Sequence, residues 1–381
     1  MNTIAWLKQN LFNTWPNTLL TLICLFGLGW ILKSILLWTF TQADWLVIKA
    51  NLALFFAGRY PQDLYWRLWV IVEAIAFLAG LTWGTKSYSQ QPFNRVIVIL
   101  AAIATTGIIF LPIGGISRLG LVGILVFLFL GGTIGNQFSN KIRKILYLFW
   151  ILAFPISLWL IGGGLGVLEP VRNNLWTGLV LTLLTAIASI FLSFPIGVLL
   201  ALGRQSQLPI VKYGCILYIE LIRGLPLIGI LFMAINMFPF FTPVGVSLDD
   251  ILKAIAGLTL FSAAYLAENV RGGLQSIPKG QYEAAKALGL NTPVMIGLII
   301  LPQALKAVIP ALVGQFIGLF KDTSLLSLVG LIELMGISRS ILANPNYIGE
   351  YAEVYLFVGA IYFVFCYGMS VASRRLEEKY N

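Results

Sequence analysis

Long apolar stretches alternate with short polar ones along almost the whole chain. The stretches long enough to span a bilayer lie near positions 18–40, 65–85, 95–112, 119–135, 143–161, 174–201, 209–238, 251–271, 303–319 and 351–373. A helix that crosses the hydrocarbon core needs roughly 20 mostly apolar residues. Only helices and closed barrels satisfy their backbone hydrogen bonds in lipid, and runs of this length favour helices. The pattern therefore predicts an all-α integral membrane protein with about ten transmembrane helices.

Composition and charge agree with this prediction. Of the 381 residues, 59% are hydrophobic and only 10% are charged, whereas about a quarter of the residues in a soluble domain are charged. The net charge of +10 does not indicate a nucleic-acid partner, because the basic residues are spread over short loops between spans. More of them fall on the side that holds both chain ends, which predicts cytoplasmic termini. Membrane lipid is thus expected as a partner, and nucleic acid is not.

Several kinds of chemistry have no residues to support them. The chain contains no histidine, and its three cysteines, Cys24, Cys215 and Cys366, lie far apart within apolar runs. Zinc sites, haem ligation and histidine acid–base catalysis are therefore not expected. No G-x-x-x-x-G-K-[ST] phosphate-binding loop occurs either. We predict no catalytic residue, no metal site and no cofactor in this chain.

The chain changes character near residue 170. The segment GGGLG at 162–166 is typical of a flexible break. Before it, the spans are aromatic-rich and their loops share little chemistry, whereas after it charged residues recur beside or inside the spans. We predict an amino-terminal extension of about five helices at 1–170 and a functional half at 171–381.

A compact polar stretch, EAAKALGLNTPVMIGLIILP at 283–302, stands between two apolar runs. Pro278 suits the first turn of a helix, and Gly289 suits the left-handed position that follows a helix end. Asn291 or Thr292 can then cap a second helix. The spacing predicts a helix over 279–289, a sharp turn and another helix. The residues alone fit either a docking element for another protein or an ordinary loop with a short helix.

Charged residues within or beside the spans are candidate functional groups. Glu220 and Arg223 lie three apart on one helix face, and they either hold spans together or contact a substrate. The same spacing recurs at Glu268 and Arg271, which with Tyr265 either line an inner vestibule or anchor the polar helix. A third set lies after span 303–319 and either meets a zwitterionic solute or caps a short helix: Asp322, Thr323 and Ser324.

The polar stretch resembles a known family pattern. Glu283-Ala284-Ala285, Gly289, Ile299 and Leu301-Pro302 are similar, in identity and spacing, to the EAA signature of bacterial ABC importer permeases. Segments 219–227, 264–281 and 320–326 resemble the branch that carries polar amino acids. The extension is similar to that of permeases in general L-amino-acid importers.

This resemblance implies a five-helix type I importer core in the carboxy-terminal half. It also implies a coupling helix at 279–289, in which Glu283, Ala284, Ala285 and Gly289 contact an ATPase. The implied partners are ATPase subunits that bind ATP and Mg, a second and non-identical permease, and a periplasmic amino-acid-binding protein. The implied function is import of polar L-amino acids across the bacterial inner membrane by alternating access. The implied substrate path comprises Glu220, Arg223, Tyr265, Glu268, Asp322, Thr323 and Ser324.

Three other functions are compatible with parts of the pattern. An ATP-independent secondary transporter or channel explains the spans and intramembrane charges but gives the 283–302 stretch no role. A membrane enzyme lacks the acidic pairs and ligand spacings that catalysis needs. A scaffold subunit that docks an ATPase without moving a substrate would keep the polar helix, and stimulation of ATP hydrolysis by substrate would exclude it.

Overall fold

The computed structural model describes residues 3–86, 105, 114–164, 166–241, 243 and 248–380. The described part is nearly all helical. In the first half the helices are α1 (Thr3–Asn10), α2 (Trp15–Thr41), α3 (Leu46–Ala57), α4 (Tyr65–Lys86), α5 (Gly115–Gln137) and α6 (Ser139–Gly162). They continue with α7 (Gly178–Arg204), α8 (Pro209–Gly224), α9 (Leu227–Phe232), α10 (Asp250–Ser276), α11 (Lys279–Ala287), α12 (Thr292–Met295), α13 (Leu301–Ala307), α14 (Ile309–Asp322), α15 (Leu334–Leu342) and α16 (Tyr351–Tyr380).

The membrane spans follow the hydropathy pattern closely. Within the described residues, 8 helices are long and apolar enough to cross a membrane, or 9 if the bent pair α8–α9 is one span. Each of these overlaps one of the predicted stretches, although the span Ile309–Val329 continues beyond the predicted end at 319. The predicted span at 95–112 lies, except for residue 105, outside the described residues. The all-α membrane fold is therefore confirmed, and the predicted number of about ten spans is roughly met.

One predicted span, 209–238, is broken in the structure. Helix α8 ends at Gly224, α9 begins at Leu227, and the two helices meet at 103°. Pro226 lacks a backbone N–H and disfavours helical geometry at the residue before it, and Leu225 is accordingly extended. Irregular backbone at membrane depth is tolerated only where protein or water covers it. The break therefore marks a place where this span faces something other than lipid.

The described chain forms two compact units, residues 1–52 with 338–361 and residues 53–337 with 362–381. In the first unit, no residue of α2 is buried, and the Asp44 backbone N–H donates to Glu353 at 3.3 Å. The second unit contains most of the spans and the polar helix α11. The predicted division near residue 170 concerns which half of the chain carries the function, and it stays a prediction.

Helices α4 and α5 of the second unit run in the same direction and pack unusually closely. Gly84 lies against the backbone of Gly132 and Asn136, so that a Cβ at position 84 would overlap backbone atoms. Near the start of the pair, Gly123 lies against the carboxylate of Glu73. Small residues at such contacts let helix backbones approach each other in a membrane, where packing rather than water drives association.

Among its described residues, the second unit contains three apolar clusters. One joins the extension to the following helices and includes Tyr60, Ile161, Leu181 and Ile251. Another packs α9 and α10 against the segment after α14, through residues such as Leu231, Leu258 and Leu326. The third lies where α7, α8 and α10 approach α11, and its buried members are Ala201, Ile219, Leu266, Ala267, Val270, Leu274, Ala285, Met295, Ile300, Ala304 and Leu312.

Candidate functional site

Five charged residues meet between three helices of the second unit. Arg204 ends α7, Glu220 and Arg223 lie in the last turns of α8, and Glu268 and Arg271 lie near the end of α10. We call this set the ion cluster. Because α10 leads directly into α11, the ion cluster lies beside the polar helix that the sequence singled out.

Glu268 is the centre of the ion cluster. Its carboxylate accepts a hydrogen bond from Arg204, and it accepts two more from Arg271, from Nε at 2.9 Å and from Nη2 at 2.7 Å. Arg223 lies 3.8 Å away. The Glu268 side chain is only 16% exposed. The arginines therefore stabilise its negative charge in place of the hydration that burial removes.

Glu220 and Arg223 form the more open side of the ion cluster. Glu220 lies 3.2 Å from Arg204 and 4.0 Å from Arg223, and 55% of its side chain is exposed. The Arg223 guanidinium lies 5.6 Å from the ring centroid of Tyr265, which is a cation–π distance. With three arginines against two glutamates, the ion cluster has one more positive charge than negative charges.

Charged side chains that are largely buried stabilise a structure only when they are paired with an opposite charge. Removing one partner of a buried pair costs more than the pair itself is worth, because the other charge is left without a counter-charge. Since Arg204, Glu268 and Arg223 belong to three different helices, the ion cluster fixes the spacing of α7, α8 and α10 at this end.

The turn after α11 has the geometry that the sequence predicts. Pro278 precedes the helix, and Gly289 adopts φ +74°, a left-handed conformation that is strained for other residues. The Asn291 side chain then accepts from the N–H of Val294 at 3.1 Å and caps α12. Helix, sharp turn and second helix are therefore present, with α11 ending at Ala287.

The residues predicted to dock an ATPase divide between two faces of α11. Ala285 is 1% exposed and belongs to the apolar cluster that also contains Leu266 and Ile219. Glu283 and Ala284 are exposed, and so is Gly289 in the following turn. Glu283 and Lys286, which are spaced to pair, take no part in the ion pairs found among the described residues. The exposed face is available to a partner, and the Ala285 face anchors the helix.

Two hydrogen bonds link α11, through the last turns of α10, to the ion cluster. Arg271 donates from Nη1 to Gln275 at 2.9 Å, one turn closer to α11. The Tyr282 hydroxyl of α11 donates back to the Leu274 carbonyl at 3.3 Å, and burial raises the pKa of Tyr282. A displacement of α11 can therefore be transmitted through few contacts to the ends of α7, α8 and α10.

The structure brings four of the seven predicted substrate-path residues together: Glu220, Arg223, Tyr265 and Glu268. The other three have different neighbours. The buried Thr323 hydroxyl donates to the Phe320 carbonyl at 2.7 Å, and the Ser324 carbonyl accepts from Ser327 at 2.8 Å. Asp322 ends α14. None of the contacts described for these residues is with the ion cluster.

Two residues of structural importance were not singled out by the sequence. Arg204 has the ordinary appearance of a basic residue that ends a span, and only the packing of α7 alongside α10, in the same direction, places it on Glu268. Glu333 is fully buried between spans. It accepts from the backbone N–H groups of Met335 at 2.8 Å and Gly336 at 3.0 Å, which caps α15.

Further contacts of Glu333 reach other helices. The Tyr362 hydroxyl lies 3.3 Å from its carboxylate, and the Thr182 hydroxyl lies 3.5 Å away. Burial raises the pKa of Glu333 to about 7, because the charged form loses more hydration than these donors return. Among the described residues, no group of three or more histidine, cysteine, aspartate or glutamate side chains is placed to hold a metal ion.

Comparison with known proteins identifies the family of this arrangement. Residues 193–381 match the family described as "Binding-protein-dependent transport system inner membrane component". The inner membrane amino-acid ABC transporter permease protein YhdY of Escherichia coli is 36% identical, and the match covers 99% of this chain and 93% of that protein. The chain belongs to the amino-acid ABC transporter permeases.

Two further similarities accompany this assignment. The permease is 37% identical to the glutamate/glutamine/aspartate/asparagine transport system permease protein BztC of Rhodobacter capsulatus, over 100% of this chain and 94% of that protein. A solved structure titled as an amino acid ABC transporter with histidines is 31% identical, covers 53% of this chain and 92% of its own, and has a TM-score of 0.48. The permease is thus a multi-span inner-membrane component of a transport system that depends on a binding protein.

Proposed function

We propose that the permease imports polar L-amino acids across the bacterial inner membrane by alternating access, driven by ATP that a partner ATPase hydrolyses. The observation that carries this proposal is the division of α11 into two faces. One face is exposed and presents Glu283 and Ala284, while the other is buried through Ala285. Such a helix can receive a partner and transmit its displacement into the spans.

The transmission route is short. A push on the exposed face of α11 reaches α7, α8 and α10 through Ala285 and its apolar cluster. It also reaches them through two hydrogen bonds, from Tyr282 to the Leu274 carbonyl and from Arg271 to Gln275. Nucleotide and substrate each shift the equilibrium between two arrangements of these spans only by binding the arrangements with different affinities. The ion cluster supplies contacts that can differ between the two arrangements.

The proposed substrate is a polar or charged amino acid. The relative from Rhodobacter capsulatus is named for glutamate, glutamine, aspartate and asparagine, and the ion cluster has groups for both ends of a zwitterion. Glu220, Arg223 and Tyr265 form its open side. Glu268 supports them, and Asp322, Thr323 and Ser324 stay proposed members of the path.

The proposed assembly contains a pair of ATPases that bind ATP and Mg, a second and non-identical permease, and a periplasmic amino-acid-binding protein. The permease itself carries no catalytic group in this proposal. Both termini are cytoplasmic, which places α11 and the ATPases on the same side. A scaffold subunit without a substrate path shares these features, so the test must include substrate.

The test is ATP hydrolysis by the reconstituted complex, with and without binding protein loaded with mixed L-amino acids. Glu283→Lys reverses a charge on the exposed face of α11, and Lys212→Glu, at an exposed position on α8, is the matched control. We expect loaded binding protein to stimulate ATP hydrolysis by wild type and by the control. In the Glu283→Lys variant the stimulated rate should fall roughly tenfold, which is equivalent to the loss of one contact of about 1.4 kcal/mol. Unchanged stimulation and uptake in Glu283→Lys would remove the role of α11. No stimulation by substrate in wild type would favour a scaffold.

A further inference from the structure

Three basic residues lie together in the first two turns of α6. Lys141, Arg143 and Lys144 are exposed, and with Asn140 they line a shallow, open cleft. We call these three cations the basic patch. The basic patch belongs to the extension and is separate in sequence from the ion cluster and from α11.

The basic patch has no acidic counterpart in its part of the chain. Between Glu73 and Glu169 the sequence contains no aspartate or glutamate, although it contains the three cations of the patch and also Lys86, Arg95 and Arg118. None of the three takes part in the ion pairs within 4 Å found among the described residues. A counter-charge therefore has to come from outside this part of the chain.

The backbone at the patch adds to the positive potential. Helix α6 begins at Ser139, and its N-cap residue Phe138 makes no side-chain cap. The Lys141 N–H donates to the Phe138 carbonyl at 3.1 Å, and the start of a helix carries the positive end of its dipole. Cations placed there weaken the helix unless an anion joins them. Helix N-termini are favourable places for phosphate.

The position of the patch along the span favours a lipid as the source of the anion. Helices α5 and α6 are both candidate spans, and the patch follows the short turn between them. Beyond the patch, α6 exposes Tyr147, Phe149 and Trp150 on its sides. Exposed aromatic residues just inside a span are typical of the lipid boundary. The cations therefore lie at the level of the phospholipid phosphates.

We infer that the basic patch binds the phosphodiester head group of an anionic phospholipid. The lipid phosphate accepts from the three cations, while its acyl chains lie along the exposed surface of α6 beyond the basic patch. Clustered Lys and Arg at a membrane boundary bind anionic head groups through screened charge attraction. The inference concerns the extension and does not depend on the substrate or the direction of transport.

The test compares phosphatidylglycerol with phosphatidylcholine. The whole complex is reconstituted with trace spin-labelled lipid of either head group, and the protein-bound fraction of each lipid is measured. The triple variant Lys141→Gln, Arg143→Gln, Lys144→Gln removes the charge. The triple variant Lys141→Arg, Arg143→Lys, Lys144→Arg keeps it. A third, Lys212→Gln, Arg374→Gln, Arg375→Gln, removes three exposed cations elsewhere.

We expect wild type to prefer phosphatidylglycerol, with a preference that falls as NaCl is raised. The glutamine triple should lose this preference several-fold, while the charge-conserving triple and the distant control keep it. Equal binding of both lipids by wild type overturns the inference, and so does an undiminished preference in the glutamine triple. If the glutamine triple instead loses its ATPase while lipid preference is unchanged, the patch is a protein contact.

Discussion

Glu268 shows how much of the ion cluster depends on one carboxylate. It accepts hydrogen bonds from Arg204 and Arg271 and lies 3.8 Å from Arg223. Glu268→Gln leaves these three arginines without their shared negative charge, and its amide N–H₂ donates where a carboxylate oxygen accepted, at an expected cost on the order of 3 kcal/mol. We predict a lower Tm for the purified complex and loss of substrate-stimulated ATP hydrolysis.

Glu220→Gln is the matched control for that substitution. Glu220 contacts two of the same arginines but is 55% exposed, so its loss should cost under about 1 kcal/mol. A Tm change in Glu220→Gln that equals that of Glu268→Gln would show that Glu268 contributes no more to the stability of the ion cluster than Glu220 does. A large loss of uptake with an unchanged Tm would support substrate contact at Glu220.

Glu333 predicts a pH dependence of stability. Its pKa is raised to about 7 in the folded permease from an ordinary value of 4.5, so the folded state binds the proton more tightly than the unfolded state. Stability from this group is fully present below pH 4.5 and is lost as pH rises to about 7. We predict that Tm falls between pH 5 and pH 8 more in wild type than in Glu333→Gln.

The control for Glu333→Gln is Glu283→Gln, which alters an exposed carboxylate and should leave the wild-type pH profile intact. A Glu333→Gln profile that parallels wild type would mean that other groups set the pH dependence. Tyr362 and Thr182 face Glu333, so both side chains should be kept in this comparison.

Local residue rules succeeded where the physics is local. The left-handed Gly289 and the cap at Asn291 follow from neighbouring residues alone, and the structure confirms both. The contacts of Arg204 with Glu268 and of Glu333 with Thr182 could not be found in this way, because the partners lie 64 residues apart in one case and 151 in the other. Such partners are fixed by which helices pack together, and a single sequence does not contain that information in readable form.

At the scale of elements, the turn between α11 and α12 sets the angle of α11. Gly289 adopts φ +74°, and a Cβ there would meet no other atom, so a substitution acts through backbone strain alone. Gly289→Ala should cost about 1–2 kcal/mol in this conformation and reduce stimulated ATP hydrolysis by up to roughly tenfold. Gly280→Ala is the control, since Gly280 is equally open but lies within α11. Equal effects at the two positions would contradict the role of the turn.

The close pair α4 and α5 makes a second prediction at this scale. Gly84→Leu would place side-chain atoms against the backbone of Gly132 and force the two helices apart, which is expected to cost a few kcal/mol. We predict a lower Tm and poor assembly of the complex. Gly368→Leu, at an open and exposed position on α16, should have little effect. Equal Tm values for the two variants would show that the close approach contributes no stability.

Hydropathy located the spans but not their breaks. Every described candidate span overlaps a predicted apolar stretch, because burial in lipid depends mainly on side-chain composition. Pro226 explains why the helix breaks after Gly224. The 103° angle of the bend depends in addition on how α9 packs against α10, through residues such as Leu231 and Leu258. The sequence also does not show which face of α11 is buried, because the inward packing of Ala285 depends on the neighbouring helices.

On the scale of the whole permease, the extension and the family core share an apolar cluster. The family match covers 193–381, whereas the cluster joins Tyr60 and Ile161 to Leu181 and Ile251. The Tyr60 hydroxyl also donates to the Ile161 carbonyl at 2.9 Å. The extension therefore covers apolar surface of the helices that follow it.

This shared cluster predicts that the two halves bind each other without a covalent link. Fragments 1–170 and 171–381, co-expressed with the other subunits, should co-purify and restore uptake, because burial of shared apolar surface stabilises their association. Tyr60→Ala in the first fragment removes a side chain that is 2% exposed and should weaken co-purification. Tyr147→Ala, at a side chain that is 66% exposed, should not. If the second fragment supports full uptake when expressed without the first, the extension is dispensable for transport, and its contribution would have to be sought in the membrane contacts of the basic patch.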